Sequence, residues 1–101
     1  MIVIRNTFRL KFGKAREAVA LFKEGNAIQK RVAGSVNVST RLLTDLTGPF
    51  YTVVLELTVP SLGAFEAAAP QLMGDKDWQA NYQKLGALIE SGEREIFTVV
   101  E

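Results

Sequence analysis

Asn6, Trp78 and Tyr82 are the residues of this chain whose types and placement can do chemistry without a metal. From Ile2 to Phe12 the residues alternate, with Ile2, Ile4, Asn6, Phe8, Leu10 and Phe12 on one face and Val3, Arg5, Thr7, Arg9 and Lys11 on the other. Asn6 is therefore one amide among five hydrophobes. A buried amide must find hydrogen-bond partners or lose free energy, so it marks either a satisfied core polar group or the floor of a pocket. Trp78 and Tyr82 stand four residues apart and share one face of a helical stretch. Around a planar ring, an amide and a phenol hold a carbonyl or phenolate oxygen while an indole stacks on the ring. The same three residues also suit a plain core, with the aromatic rings inside, their polar tips near water and Asn6 bonded to backbone.

The composition narrows the chemistry further. The chain has 101 residues with no cysteine and no histidine. Without cysteine there is no disulfide framework, thiolate nucleophile or cysteine metal site, which fits a reducing cytoplasm. Without histidine the commonest metal ligand, the usual haem axial ligand and the default general base near neutral pH are gone, which rules out triads and zinc hydrolysis. Twelve basic and eleven acidic residues spread along the chain give a net charge of +1, so neither nucleic acid nor an anionic membrane is an expected partner. No apolar segment approaches the ~18 residues of a membrane span, and a strand-like alternation in place of a basic and then apolar run follows Met1, so the chain reads as soluble and cytoplasmic.

The elements that must position the three residues follow from periodicity. Residues 1–101 read as a single domain. After Gly13, Ala15, Ala18, Val19 and Phe22 recur at helical spacing, Leu21, Ile28 and Val32 continue the stripe, and Gly34 is a plausible stop. Gly25 and Asn26 weaken this helix by about 1 kcal/mol relative to alanine and mark a kink or a close approach to a neighbour. The outward charges Lys14, Arg16, Glu17, Lys23 and Glu24 are solubilising. Alternation resumes from Ser35 to Leu46, turns at Thr47-Gly48-Pro49 and returns from Phe50 to Val59. Ser61 caps a helix over Leu62 to about Met73, and Asp75 caps another over Lys76 to about Glu90 whose Trp78, Tyr82, Leu85 and Ile89 share a face. Ser91-Gly92 stops that helix before a last strand, Glu93 to Val100.

The order strand, helix, strand occurs twice. This is the α+β, ferredoxin-like βαββαβ pattern, a four-stranded antiparallel sheet with helices on one face. The other face, with Val3, Arg5, Thr7, Arg9, Asn37, Arg41, Leu43, Val54 and Glu56, is too mixed for a dry core and rather apolar for open water. A second copy of the sheet would cover it, so a homodimer is expected. Arg5, Arg9 and Arg41 there either bind an anion or form a solvated rim, with Glu56 neutralising one of them.

RNTFRLKFGKAREAVALFKE at the start, LTVPSLGAF between the third strand and second helix, and GDKDWQANYQKL before the last strand resemble the dimeric α/β-barrel superfamily, which includes antibiotic-biosynthesis-type monooxygenases, haem-degrading monooxygenases and NIPSNAP-like proteins. The resemblance implies paired sheets in a dimeric α/β barrel. It also implies an Asn on the first strand, which Asn6 matches, a Trp at the end of the third, which falls on Val59, and in the haem enzymes a His on the second helix, which falls on Tyr82. The haem-degrading reading loses its ligand, and no cofactor is expected. Asn6 and Tyr82 are the candidate catalytic residues, with Trp78, Val59 and Phe22 as the substrate wall. Two classes remain: a cofactor-independent monooxygenase acting on an aromatic or polyketide-like ring, and a non-catalytic NIPSNAP-like or stress-associated binding protein.

Overall fold

The computed structural model describes residues 1–34 and 39–101. Along the chain it forms β1 (Ile2–Leu10), α1 (Ala15–Ala33), β2 (Ser39–Thr44), β3 (Thr52–Val59), α2 (Leu62–Met73), α3 (Lys76–Gly86) and β4 (Ile89–Thr98). The sheet order is β2-β3-β1-β4 and every pairing is antiparallel, so the fold is the expected ferredoxin-like one. Of the expected second strand, Ser35, Val36, Asn37 and Val38 lie outside the described residues.

Several boundaries differ from the periodicity, two of them through a local turn and one through strand pairing. β1 ends at Leu10 because Gly13 turns the chain with φ +80°. Phe12 leaves the sheet, 85% exposed, and meets Tyr51 edge-on at 5.0 Å. β3 starts at Thr52 because Tyr51 itself has φ +60°, a left-handed conformation that costs a side-chain-bearing residue about 1 kcal/mol. α3 stops at Gly86, and Ile89, Ser91 and Gly92 already belong to β4, opposite Leu10, Arg9 and Phe8. Gly92 is thus not a stop signal. A Cβ there would lie 3.0 Å from Cδ1 of Phe8, so the glycine makes room for that ring.

The molecule measures 36 × 35 × 17 Å, the thickness of one sheet and one helix layer. On the sheet face away from the core, Arg5, Glu56 and Arg41 sit opposite one another on β1, β3 and β2. Arg41 donates to Glu56 Oε1 from Nε at 3.2 Å and Nη2 at 2.7 Å, and Arg5 donates to Oε2 from Nε and Nη2 at 3.3 Å. Glu56 therefore pairs with two arginines while its single charge neutralises one, and the row keeps a net charge of +1. The Arg41 hydrogen bond, against the cost of burial, holds its carboxyl below the usual 4.5. The folded chain binds this proton more weakly than the unfolded one, so the row stabilises above about pH 4.5 and its contribution is lost as the pH falls through the lowered value. Because the arginine side chains are 42% and 63% exposed, Glu56→Gln should cost only about 1 kcal/mol at neutral pH. Urea unfolding should show the variant losing less stability than wild type between about pH 5 and about pH 3. Equal losses in the two proteins would contradict this.

Candidate functional site

Asn6 divides the helix-facing core. Leu10, Ala18, Phe22, Val53, Leu85 and Leu88 form one buried cluster, while Ile4, Leu57 and Val59 form another. Between them runs the row of Asn6, with Leu55 opposite on β3 and Arg94 opposite on β4. These three residues belong to the wall of a 430 Å³ cavity between the sheet and the helices. Protein interiors normally close such space. Here several lining positions are small: Gly25 and Ala33 on α1, Ala68 and Ala69 on α2, Gly86 at the end of α3 and Gly92 within β4. α2 has no buried residue at all, so it covers the cavity without filling it.

The polar groups are held in defined positions. Arg94 Nε donates to Asn6 Oδ1 at 2.7 Å. A guanidinium can only donate, so this bond fixes the amide with its oxygen toward Arg94 and leaves the two Nδ2 hydrogens to donate elsewhere. Asn6 is 7% exposed. The Arg94 Cζ lies 5.7 Å from the Phe65 ring centroid, a cation–π distance. On the helix side, Asn81 is buried and its Nδ2 donates to Leu21 O at 2.9 Å. A Cβ on Gly25 would lie 2.9 Å from Asn81 Oδ1. Gly25 therefore lets α1 and α3 approach closely, one of the two roles its position in the sequence suggested.

Trp78 is placed by the start of α3. Asp75 caps that helix, its Oδ1 accepting the Trp78 backbone N–H at 3.0 Å. Arg31 Nη2, from the end of α1, donates at 3.2 Å to both Asp75 and Asp77. The Trp78 N–H first, then the Arg31 charge, holds the Asp75 carboxyl below its usual range. The indole Nε1 of Trp78 is buried without a hydrogen-bond partner among the described residues, although the ring lines the cavity. The polar tip is thus not near water, as a plain core tryptophan would have it.

Asn6, Phe22, Trp78 and Tyr82 all line the cavity. Tyr82 does so at the rim, 66% exposed. Val59 does not line it. It pairs with Ile2, two side-chain rows along the same face from Asn6, and is fully buried with Ile4 and Leu57. Sequence patterning alone does not point to Arg94 or Phe65 as site residues. The available signal was a charged residue on the same β4 face as Gly92 and Ile96, but its meaning depends on the register that sets it opposite Asn6. Among the described residues no group of three His, Cys, Asp or Glu side chains can hold a metal, and no helix is long and apolar enough to cross a membrane.

The architecture is that of a ferredoxin-like domain with a ligand-sized cavity between its layers. The NIPSNAP family profile matches residues 4–101, and the chain belongs to that family. It is similar to a NIPSNAP family protein from Agrobacterium tumefaciens str. C58, with 30% identity and a TM-score of 0.86 over 99% of this chain and 93% of the other. A NIPSNAP domain protein from Burkholderia xenovorans is 21% identical with a TM-score of 0.82, over 99% and 95% of the two chains. SnoaB, a cofactor-independent oxygenase from Streptomyces nogalater, is 20% identical with a TM-score of 0.76, over 99% and 93%. At that identity the likeness to SnoaB is one of fold alone. No curated protein matches the chain.

Proposed function

We propose that this protein binds a small aromatic molecule as a homodimeric α/β barrel and oxygenates an electron-rich aromatic or polyketide-like ring without a cofactor. The observation that carries the reading is the 430 Å³ cavity with aromatic walls and the Asn6 amide among its lining groups. At about 30 Å³ per water-sized group it has room for about 14 such groups, a two- or three-ring molecule. The Asn6 Nδ2 donors, left over once Oδ1 has accepted from Arg94, suit an enolate or phenolate oxygen whose charge they stabilise. Trp78 and Phe22 supply faces for the ring. The homodimer is supported by the uncovered sheet face, where Leu43 and Phe97 remain about two-fifths exposed beside the Arg5–Glu56–Arg41 row.

1,8-Dihydroxyanthrone is a suitable test substrate because it supplies all the electrons. Its central methylene carbon loses two hydrogens and gains one oxygen atom from O₂, and the other oxygen atom leaves as water, giving the anthraquinone. The protein should raise the aerobic rate of anthraquinone formation above the buffer rate, and Asn6→Ala should lower that enhancement by about 100-fold. A rate equal to buffer would end the catalytic reading. One observation favours the non-catalytic alternative: Tyr82 is two-thirds exposed, so the cavity mouth is wet. A ligand held without turnover is the expected result of that second reading.

A further inference from the structure

Arg94 is the one charged side chain among the described walls of the cavity, and no described carboxylate forms an ion pair with it. It is nevertheless held at two points, by Nε donating to Asn6 Oδ1 at 2.7 Å and by the Phe65 ring 5.7 Å from Cζ. A guanidinium presents its N–H donors in a rigid planar fork. With Nε engaged by Asn6, the edge that remains is the one between the two terminal nitrogens. Two parallel N–H groups on that edge match the two oxygens of one carboxylate, whereas a phenol or carbonyl oxygen uses only one of them. The rest of the wall is mostly apolar, with Phe8, Phe22 and Trp78 offering ring faces.

We propose that the ligand is an aromatic monocarboxylate, its carboxylate held end-on by the terminal nitrogens of Arg94 and its ring system lying in the apolar body of the cavity. Asn6 then has a second task as a positioning residue, since its oxygen fixes which edge of the guanidinium faces the ligand. This inference rests on the cavity being a ligand site. It deepens that reading by naming the chemical class.

Calorimetric titration with 2-naphthoate and with its neutral isostere 2-naphthamide at pH 7 tests it. Wild type should bind the acid more tightly than the amide by about tenfold or more, the size of a charge-assisted hydrogen-bonded pair. Arg94→Gln should remove that advantage by weakening 2-naphthoate binding far more than 2-naphthamide binding, and Arg94→Lys should restore only part of it, because an ammonium lacks the planar pair. Asn6→Ala should narrow the acid-to-amide ratio as well, an effect that a merely structural Asn6 would not produce. Equal affinity for acid and amide in wild type, or an acid preference that survives Arg94→Gln, would overturn the carboxylate proposal and leave the cavity reading standing. Absence of binding by both compounds would overturn the two together.

Discussion

Replacing Asn6 by Leu should make the protein more stable and unable to bind its ligand. Leu would complete the apolar face of β1 between Ile4 and Phe8 and join the two core clusters that Asn6 now separates. Burying a leucine side chain contributes about 1.5–3 kcal/mol. The lost bond to Arg94 offsets about 1 kcal/mol of that, since Arg94 is exposed enough to be solvated when released. A net gain of about 1 kcal/mol raises the melting temperature of a domain this size by about 4–8 °C. Binding should fall below detection, because the new side chain occupies cavity volume and removes its amide donors. A variant that melts lower than wild type would mean that Asn6 is held for packing, and the claim that it is retained for function would fail.

Val54→Asp should convert a dimer into a monomer. Val54 lies on the uncovered sheet face with Thr7 on one side and Leu43 on the other. An unpaired charge buried in an interface costs on the order of 3 kcal/mol per copy, and a symmetric interface meets the charge twice. Light scattering at micromolar concentration should give wild type at twice the chain mass of 11.1 kDa and the variant at that mass. Lys23→Asp, on the exposed side of α1, should leave the dimer intact. A monomeric wild type would remove the barrel from the account.

Much of this architecture is legible in the sequence because its period is carried by single residues. Ile4, Phe8 and Leu10 alternate strictly, Ser61 and Asp75 are side-chain caps in both the sequence pattern and the structure, and Asn6 stands out as the exception in its row. What escapes is long-range register. Ser91-Gly92 has the composition of a helix stop, yet pairing with Arg9 and Phe8 draws both residues into β4. Arg94 looks like any strand-surface charge until β4 is aligned on β1, which sets it opposite Asn6 across 88 positions of sequence. Val59 shows the converse: a position carried over from a family pattern sits on the expected face but two side-chain rows from the Asn6 amide, inside a buried cluster.

The space above Asn6 should hold an aromatic ligand, and the single tryptophan reports on it directly. Trp78 gives one indole N–H resonance, from a side chain that lines the cavity and whose Nε1 is buried without a partner among the described residues. Titration of ¹⁵N-labelled protein with 2-naphthol, a neutral bicycle indifferent to the charge of Arg94, should shift this resonance saturably at one ligand per chain. The backbone signals of Phe22, Phe65 and Ala69 should move with it. An indole signal that stays fixed to millimolar naphthol, with no change at those three residues, would contradict the account.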